Sequence, residues 1–568
     1  MIFHIMLLTI MSIEKERWYQ KKMDEEIDEA YRSGAKNVMP VMPTGSGKTF
    51  LFTGKLQKWS GYSCAIAHRQ ELVGQISLSL NKRGVQHFAF VPKNMVPKLI
   101  SLHIREHGRS CYTPNSRCAV AGVRTLNSPS RKSTVTAWCQ RVGFWVIDEG
   151  HHVLRDNEWG KAVGLFPPTA FGLLPTATAE RSDGKGLGRH ADGIVDQLII
   201  GPSGRELMTP DRDGNTYLTD YFVYAPTVDL GLTKEDIGSN GDYKSNRLIK
   251  KTRESNKIIG DVVTNYLKRA PGKLGLTFVP SVDIAADIAA AYRAAGVPAE
   301  VISAKTPDPI RFEANHRLAR GDLKQLVNVD IFGEGYDCPA IEVVSFARQT
   351  ESYSLFSQQF GRGLRILPGK ERAIFIDHVG NFLRHSTRNG TPDARINWTL
   401  DRREKRSQER DPDAVPYKAC PACTAVYEAF YKSCPHCGHV AIPAVRSSPE
   451  FVDGDLTIID PDWIERINAE IAKINEPADL VRDRMKYAGP VVANSTAKNH
   501  RLRFEAQLEL QNTIALWGGW QRYLNRPDSE SYRRFYWRYG IDVKSAQTLK
   551  RADAESLTAR LKKDMGVV

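Results

Sequence analysis

Lys48 and Thr49 sit near the end of the stretch MPTGSGKTF, residues 42–50. A glycine-rich loop ahead of a lysine and a hydroxyl lets successive backbone N–H groups point at phosphate oxygens. In that chemistry Thr44, Gly45, Ser46 and Gly47 form the cradle, Lys48 reaches the β and γ phosphates of ATP, and Thr49 ligates Mg²⁺. The strict pattern opens on glycine, and Met42 stands there instead. Further along, WVIDEGHHV (145–153) ends an apolar run on two adjacent carboxylates, Asp148 and Glu149. Adjacent acids repel unless a cation lies beside them. Near a phosphate loop, Asp148 is placed to hold Mg²⁺ through its water shell, and Glu149 to polarise the water attacking the γ-phosphate. Taken alone, the two acids could equally be a solvated strand end. QQFGRGLR (358–365) adds Arg362 and Arg365, three apart. Read as a helix, they share one face, either as an exposed basic turn or as arginine fingers that neutralise charge on the transferred phosphoryl group. The sequence holds no second phosphate loop, so they would complete a single ATP site across a cleft.

A second chemistry lies in CPAC (420–423) and CPHC (434–437). Cys420, Cys423, Cys434 and Cys437 can close a tetrahedral Zn²⁺ site with no open position, which makes it structural. Two redox pairs are the weaker alternative, because paired knuckles a short hairpin apart suit a zinc ribbon. The other five cysteines are scattered, as suits a reducing compartment rather than a disulfide framework.

These groups need a scaffold. Short apolar strands at 37–43, 64–68, 118–123, 144–148 and 171–179 alternate with helical stretches. That rhythm predicts a mostly parallel, three-layer α/β sheet. Residues 181–245 are rich in Gly and Asp and read as an irregular connection. A second α/β rhythm runs from KLGLTFV (273–279) to AIFIDH (373–378). LDRREKRSQERDPDAVP (400–416) is a charged, proline-bounded linker, and residues from about 460 onward read as helical. The expected fold class is α/β, with two parallel-sheet lobes followed by a zinc ribbon and a helical C-terminal domain. The boundaries are 11–205, 206–398, a linker at 399–417, the ribbon at 418–442 and the helical domain at 443–568.

A chain of 568 residues is too long for one core. Its formal net charge of +14 favours a polyanion, nucleic acid first, although solubility alone could account for it. The apolar start MIFHIMLLTI lacks a basic region and a cleavage site, and it is too short to span a bilayer. Met11 is an alternative start, and no membrane partner is expected.

Taken in order, the motifs resemble superfamily 2 helicases and translocases of the DEAD/DEAH-like kind, closest to bacterial and phage proteins of the Rad25/UvsW type. The resemblance covers roughly residues 15 to 390 and implies two RecA-like lobes. RWYQ (17–20) resembles the adenine-reading segment, which makes Gln20 the base reader. AIAHRQELVGQ (65–75) and AGVRTLN (121–127) resemble the segments that touch the nucleic-acid backbone. DEGH (148–151) makes His151 a coupling residue, and TAT (176–178) gives Thr176 and Thr178 the same task. FGEGYDCP (332–339) resembles motif V and puts Gly335 and Asp337 near the ribose. QQFGRGLR matches motif VI, with Gln358 among the coupling residues. Ala179 stands where proline usually follows TAT, and Gly333 replaces a Thr or Ser.

The resemblance implies an ATP-dependent motor on nucleic acid, DNA ahead of RNA, in a prokaryotic or phage-infected cytoplasm. Replication, repair or recombination proteins are candidate partners. An RNA helicase, a nucleotide-switched binding module and a restriction motor subunit are the alternatives. In SYRRFYWRYGIDVKSAQTL (531–549), the aromatics read as core, and Arg533, Arg534 and Arg538 as candidate phosphate contacts.

Overall fold

The structure, a computed structural model, describes residues 16–129, 132–225, 230–255, 257–329, 338, 340–402, 416–431, 433–440, 461–523 and 528–565. The two-lobed α/β reading holds. In the first lobe the strands are β1 (Asn37–Val41), β2 (Tyr62–Ala67), β3 (His87–Phe90), β4 (Cys118–Gly122), β5 (Val142–Ile147), β6 (Phe171–Leu173) and β7 (Gln197–Ile200). They form one parallel sheet in the order β3-β4-β2-β5-β6-β1-β7. β1, with burial on both faces, is the short apolar run expected of a central parallel strand. Ile66, Ala121, Trp145, Ile147 and Leu174 lie in the core beneath the strand ends.

The second lobe repeats the plan. Its strands are β8 (Tyr221–Tyr224), β9 (Gly275–Phe278), β10 (Ala299–Ser303), β11 (Gln325–Val329), β12 (Val343–Phe346) and β13 (Ala373–Asp377), parallel in the order β10-β11-β9-β12-β13-β8. Between β9 and β10, Ser281 caps the helix Val282–Ala294 by accepting from the N–H of Ile284.

Residues 181–245 are not simply irregular. They hold β7, which edges the first sheet beside β1, and β8, which edges the second beside β13. Both strands are four residues long and only partly buried, so neither shows a clean alternation in sequence. The expected strand at 171–179 shortens to β6, although Leu174 and Thr176 go on donating to the Val38 and Pro40 carbonyls of β1 at 2.9 and 3.1 Å.

Contacts divide the chain into two compact units, and the first carries both sheets. The second holds the helices Pro490–Tyr523, Asp528–Tyr539 and Arg551–Asp564, whose core gathers Leu510, Trp517, Phe535, Tyr539 and Leu557. Between the lobes and these helices in sequence lie β14 (Tyr417–Ala419) and β15 (Val426–Glu428), paired in a two-stranded sheet. Among the described residues, no helix is long and apolar enough to cross a membrane.

Candidate active site

The parallel order places the loops after β1, β6 and β5 side by side at the carboxyl ends of their strands, where open α/β sheets bind ligands. The loop after β1 turns at Gly45 and Gly47, whose φ angles are 88° and 87°, left-handed values that favour glycine. The helix Lys48–Lys58 begins directly behind it. Ser46 is buried, and its hydroxyl donates to the Pro43 carbonyl at 2.7 Å. The helix Trp18–Arg32 braces the loop from outside. There the Tyr19 hydroxyl donates to the Ser46 carbonyl at 2.7 Å. The Gln20 amide donates to the same carbonyl at 3.2 Å, while its oxygen accepts from the Arg17 N–H at 3.0 Å. Gln20 therefore ties the phosphate loop, through its amide nitrogen, to the start of its own helix, through its amide oxygen, a role the sequence reading did not give it.

The ammonium of Lys48 donates to the Met42 carbonyl at 3.4 Å. Burial pushes its pKa down, Glu149 and Asp148 pull it back, and Arg362 and Arg365 push it further down. Three cations and two carboxylates from both lobes thus share one field, and a polyphosphate with its cation would satisfy all of them.

β5 delivers the acids. Both are buried, and Glu149 takes a left-handed φ of 53°, a strain that non-glycine residues rarely accept outside functional sites. An Asp148 carboxylate oxygen accepts from the Glu149 N–H at 3.0 Å and stabilises that turn. From Glu149 a chain of polar contacts leads away. His151 Nδ1 lies 3.4 Å from the Glu149 carboxylate and 2.8 Å from the Thr176 hydroxyl. Thr176 donates to the Thr178 carbonyl at 2.9 Å, and the Thr178 hydroxyl meets the Ser354 hydroxyl of the second lobe at 2.7 Å. The Gln358 amide donates to Glu149 at 3.5 Å, a long contact that crosses the same gap. All four expected coupling residues therefore fall on one network.

Arg362 and Arg365 do not share a helix face. The helix Tyr353–Phe360 stops before Gly361, and both arginines lie beyond it, Arg362 buried and Arg365 half-buried. A Cβ on Gly361 would stand 2.3 Å from the Thr44 Cβ, so this turn presses directly on the phosphate loop. The Arg365 side chain lies 3.5 Å from where a Cβ on Gly45 would be. Gly335, Asp337 and Gly333 lie outside the described residues.

Residues 13–181 match the family of the type III restriction enzyme res subunit, and residues 257–367 match the helicase conserved C-terminal domain. A 51.5 kDa protein of a Lactococcus phage is 30% identical over 432 residues, covering 74% of this chain and 82% of its own. The chain belongs to the superfamily 2 helicases. A Saccharomyces cerevisiae relative described as an ATP-dependent helicase, IRC3, is 25% identical over 64% of this chain and 51% of its own. Among solved structures, a fragment of a type I restriction enzyme HsdR subunit from Vibrio vulnificus aligns with a TM-score of 0.47 at 17% identity, covering 66% of this chain and 67% of that one.

This helicase hydrolyses ATP and acts on nucleic acid. Its site includes residues that the motifs did not flag. Ser354 is the second lobe's partner for Thr178. Arg181 donates to the carbonyls of His151 and His152 at 3.1 and 3.3 Å, and its pairing with Asp183 at 2.7 Å anchors it. Tyr217 packs edge-on against Tyr19 at 5.3 Å, and nothing in the sequence around it marks that contact.

In the helicase's cysteine module the four Sγ atoms of Cys420, Cys423, Cys434 and Cys437 lie within 4.8 Å of one another, with Cys420 and Cys437 3.7 Å apart. Tetrahedral thiolates on one zinc sit roughly 3.8 Å apart, so the donor set fits that ion. The arginines further on are another matter. Arg538 pairs with Asp564 at 2.6 Å, and Arg534 reaches Glu428 at 3.4 Å and covers the Phe430 ring. Both are paired with acids of their own unit, a contact the sequence expectation did not include. The side chain of Arg533 lies outside the described residues.

Proposed function

We propose that the helicase works on DNA and that its single ATP site is composite, with the first lobe holding the nucleotide and the second supplying the arginines. The observation that carries the composite site is the seating of Gly361 and Arg365 on the phosphate loop. The preference for DNA rests on the match to restriction-enzyme subunits over residues 13–181, whose name denotes action on DNA, and on the net charge of +14.

In this reading Thr44 to Gly47 cradle the phosphates and Lys48 neutralises them. Thr49 and Asp148 offer the hard oxygens that Mg²⁺ prefers. Bound there, the ion would screen phosphate charge. Glu149 accepts the proton of the attacking water. The histidine and threonine chain from Glu149 to Ser354 carries the hydrolysis state to the second lobe. Arg365 serves as the finger, with Arg362 buried beside it. Gly335 and Asp337 of motif V would lie near the ribose. The four cysteines hold a structural zinc.

The test is ATP turnover measured side by side with single-stranded DNA, duplex DNA, forked DNA and RNA. Stimulation by a DNA form well beyond RNA is expected. Equal or greater stimulation by RNA would make this an RNA helicase, and no stimulation by any would leave a nucleotide-switched binder.

A further inference from the structure

After the helix Asn381–Asn389 the chain does not leave the second lobe directly. It runs back onto the first. Asp393 is fully buried, where it accepts from the Tyr221 hydroxyl on β8 at 2.7 Å and pairs with Arg205 at 2.6 Å. Gly204 packs so closely here that a Cβ would stand 2.8 Å from the Asp393 Cα. Residues 392–398 then form one wall of a small interlobe cavity, whose other walls are Pro43 and Thr44 of the phosphate loop and Ser357, Gly361 and Leu364 of the arginine segment. Trp398 packs with Tyr353, in the helix that precedes the arginines, at 6.3 Å between ring centroids. On its other side Trp398, with Leu400, packs against the first lobe's core. The end of the run is fastened. The Gly188 N–H donates to the Leu400 carbonyl at 3.0 Å, and Arg402 makes two contacts with Asp192 at 2.9 and 2.7 Å. His190 meets Asp401 at 3.0 Å. A Cβ on Gly186 would lie 2.8 Å from the Leu400 oxygen, so there is no room for a side chain beneath it.

We propose that residues 391–402 are a strap from the second lobe to the first that sets the interlobe position, with Trp398 a positioning residue for the arginines on the phosphate loop. Tyr353 begins the helix that delivers Arg362 and Arg365, so an indole wedged between Tyr353 and the first lobe fixes where that helix ends. The strap lies outside every motif that touches nucleotide. The proposal rests on the composite-site reading, but its physical content can be measured without ATP.

The test uses the full chain with Trp398→Ala, Trp398→Phe, Asp192→Arg, Arg402→Asp and the swapped pair. Hydrogen exchange without nucleotide reads residues 353–365 and 41–49, and steady-state ATP turnover gives kcat and KM separately. Trp398→Ala should raise exchange in both segments and lower kcat about tenfold, with nucleotide affinity changed less than about threefold. Trp398→Phe should recover most of the loss. Should Trp398→Ala not fold, the exposed pair still decides. Each single charge reversal should loosen residues 353–365, and the swap should restore them. Exchange that rises only at residues 186–192, or a swap that restores nothing, overturns the strap. If Arg365→Ala leaves turnover intact while Trp398→Ala loosens both segments, the strap stands and the arginine assignment falls.

Discussion

Two pairs of arginines looked alike in sequence and ended in different places. Arg362 and Arg365 flank a glycine, and the helix stops just before them, which leaves both facing a site that already holds Lys48 and two carboxylates. Arg534 and Arg538 lie inside the helix Asp528–Tyr539 among aromatics, and each finds an acid nearby. The first pair shares a field whose cations outnumber its acids, and a field of that kind attracts a polyphosphate. The second pair has its charge met by Glu428 and Asp564. An arginine's task therefore follows from what answers its charge, and a basic-aromatic stretch does not reveal that.

The comparison can be broken most severely at the catalytic end. Glu149→Gln should lower ATP turnover by about a thousandfold while ATP and nucleic acid still bind, because an amide keeps the shape but cannot take a proton. Lys48→Ala should instead weaken nucleotide binding itself. Near-normal turnover by the Gln variant would remove Glu149 from the chemistry.

A smaller effect belongs to the cysteines. Cys437→Ser should release about one zinc per chain, measured by metal analysis, and should loosen residues 416–440, because so small a module cannot hold itself by apolar burial. Basal ATP turnover should survive in large part. Full zinc retention would show that three thiolates suffice or that the ligand set is wrong.

Smaller again is a response to pH. Burial pushes His103 and His385 down to about 4 and His378 down to about 3. Unfolded, each would titrate near 6.5, so between about pH 6.5 and 4 the unfolded chain takes up protons that the folded chain refuses. Stability should therefore be lost as pH falls through 6.5, by up to about 1.4 kcal/mol per pH unit for each histidine. Thermal melts at pH 7.5, 6.5 and 5.5 read this directly, and a midpoint that stays flat would contradict it.

The smallest effect should be that of Arg538→Ala. Loss of the partly buried pair with Asp564 should cost about 1–2 kcal/mol of stability, seen in a denaturant melt, with DNA affinity and its salt slope unchanged. A flattened salt slope would return Arg538 to the nucleic-acid surface.

Most of the chemistry was legible because it is local. The phosphate loop, the acids after β5 and the paired cysteines each need a fixed spacing along the chain, and spacing is what a sequence displays. What depended on distant parts of the chain stayed hidden. β7 and β8 are short edge strands, so they carry little periodicity, and the stretch holding them read as irregular. Helical spacing suggested that Arg362 and Arg365 share a face, but the glycines at 361 and 363 end the helix first. Gln20 was expected to read a base, and the contact of its amide nitrogen with the phosphate loop was not foreseen, because Ser46 lies 26 positions away. The return of residues 391–402 to the first lobe leaves no pattern in sequence, because it is built from single contacts to residues about two hundred positions away.

The central claim is that one ATP site is assembled from two lobes, and Arg365→Ala tests it most directly. Turnover should be compared with ATP affinity under saturating nucleic acid. If the guanidinium acts on the charge that develops in the transition state, kcat should fall by about a thousandfold while affinity changes less than about threefold. Equal losses in both would mean that Arg365 only binds the ground state, and unchanged turnover would mean that the site is complete within the first lobe.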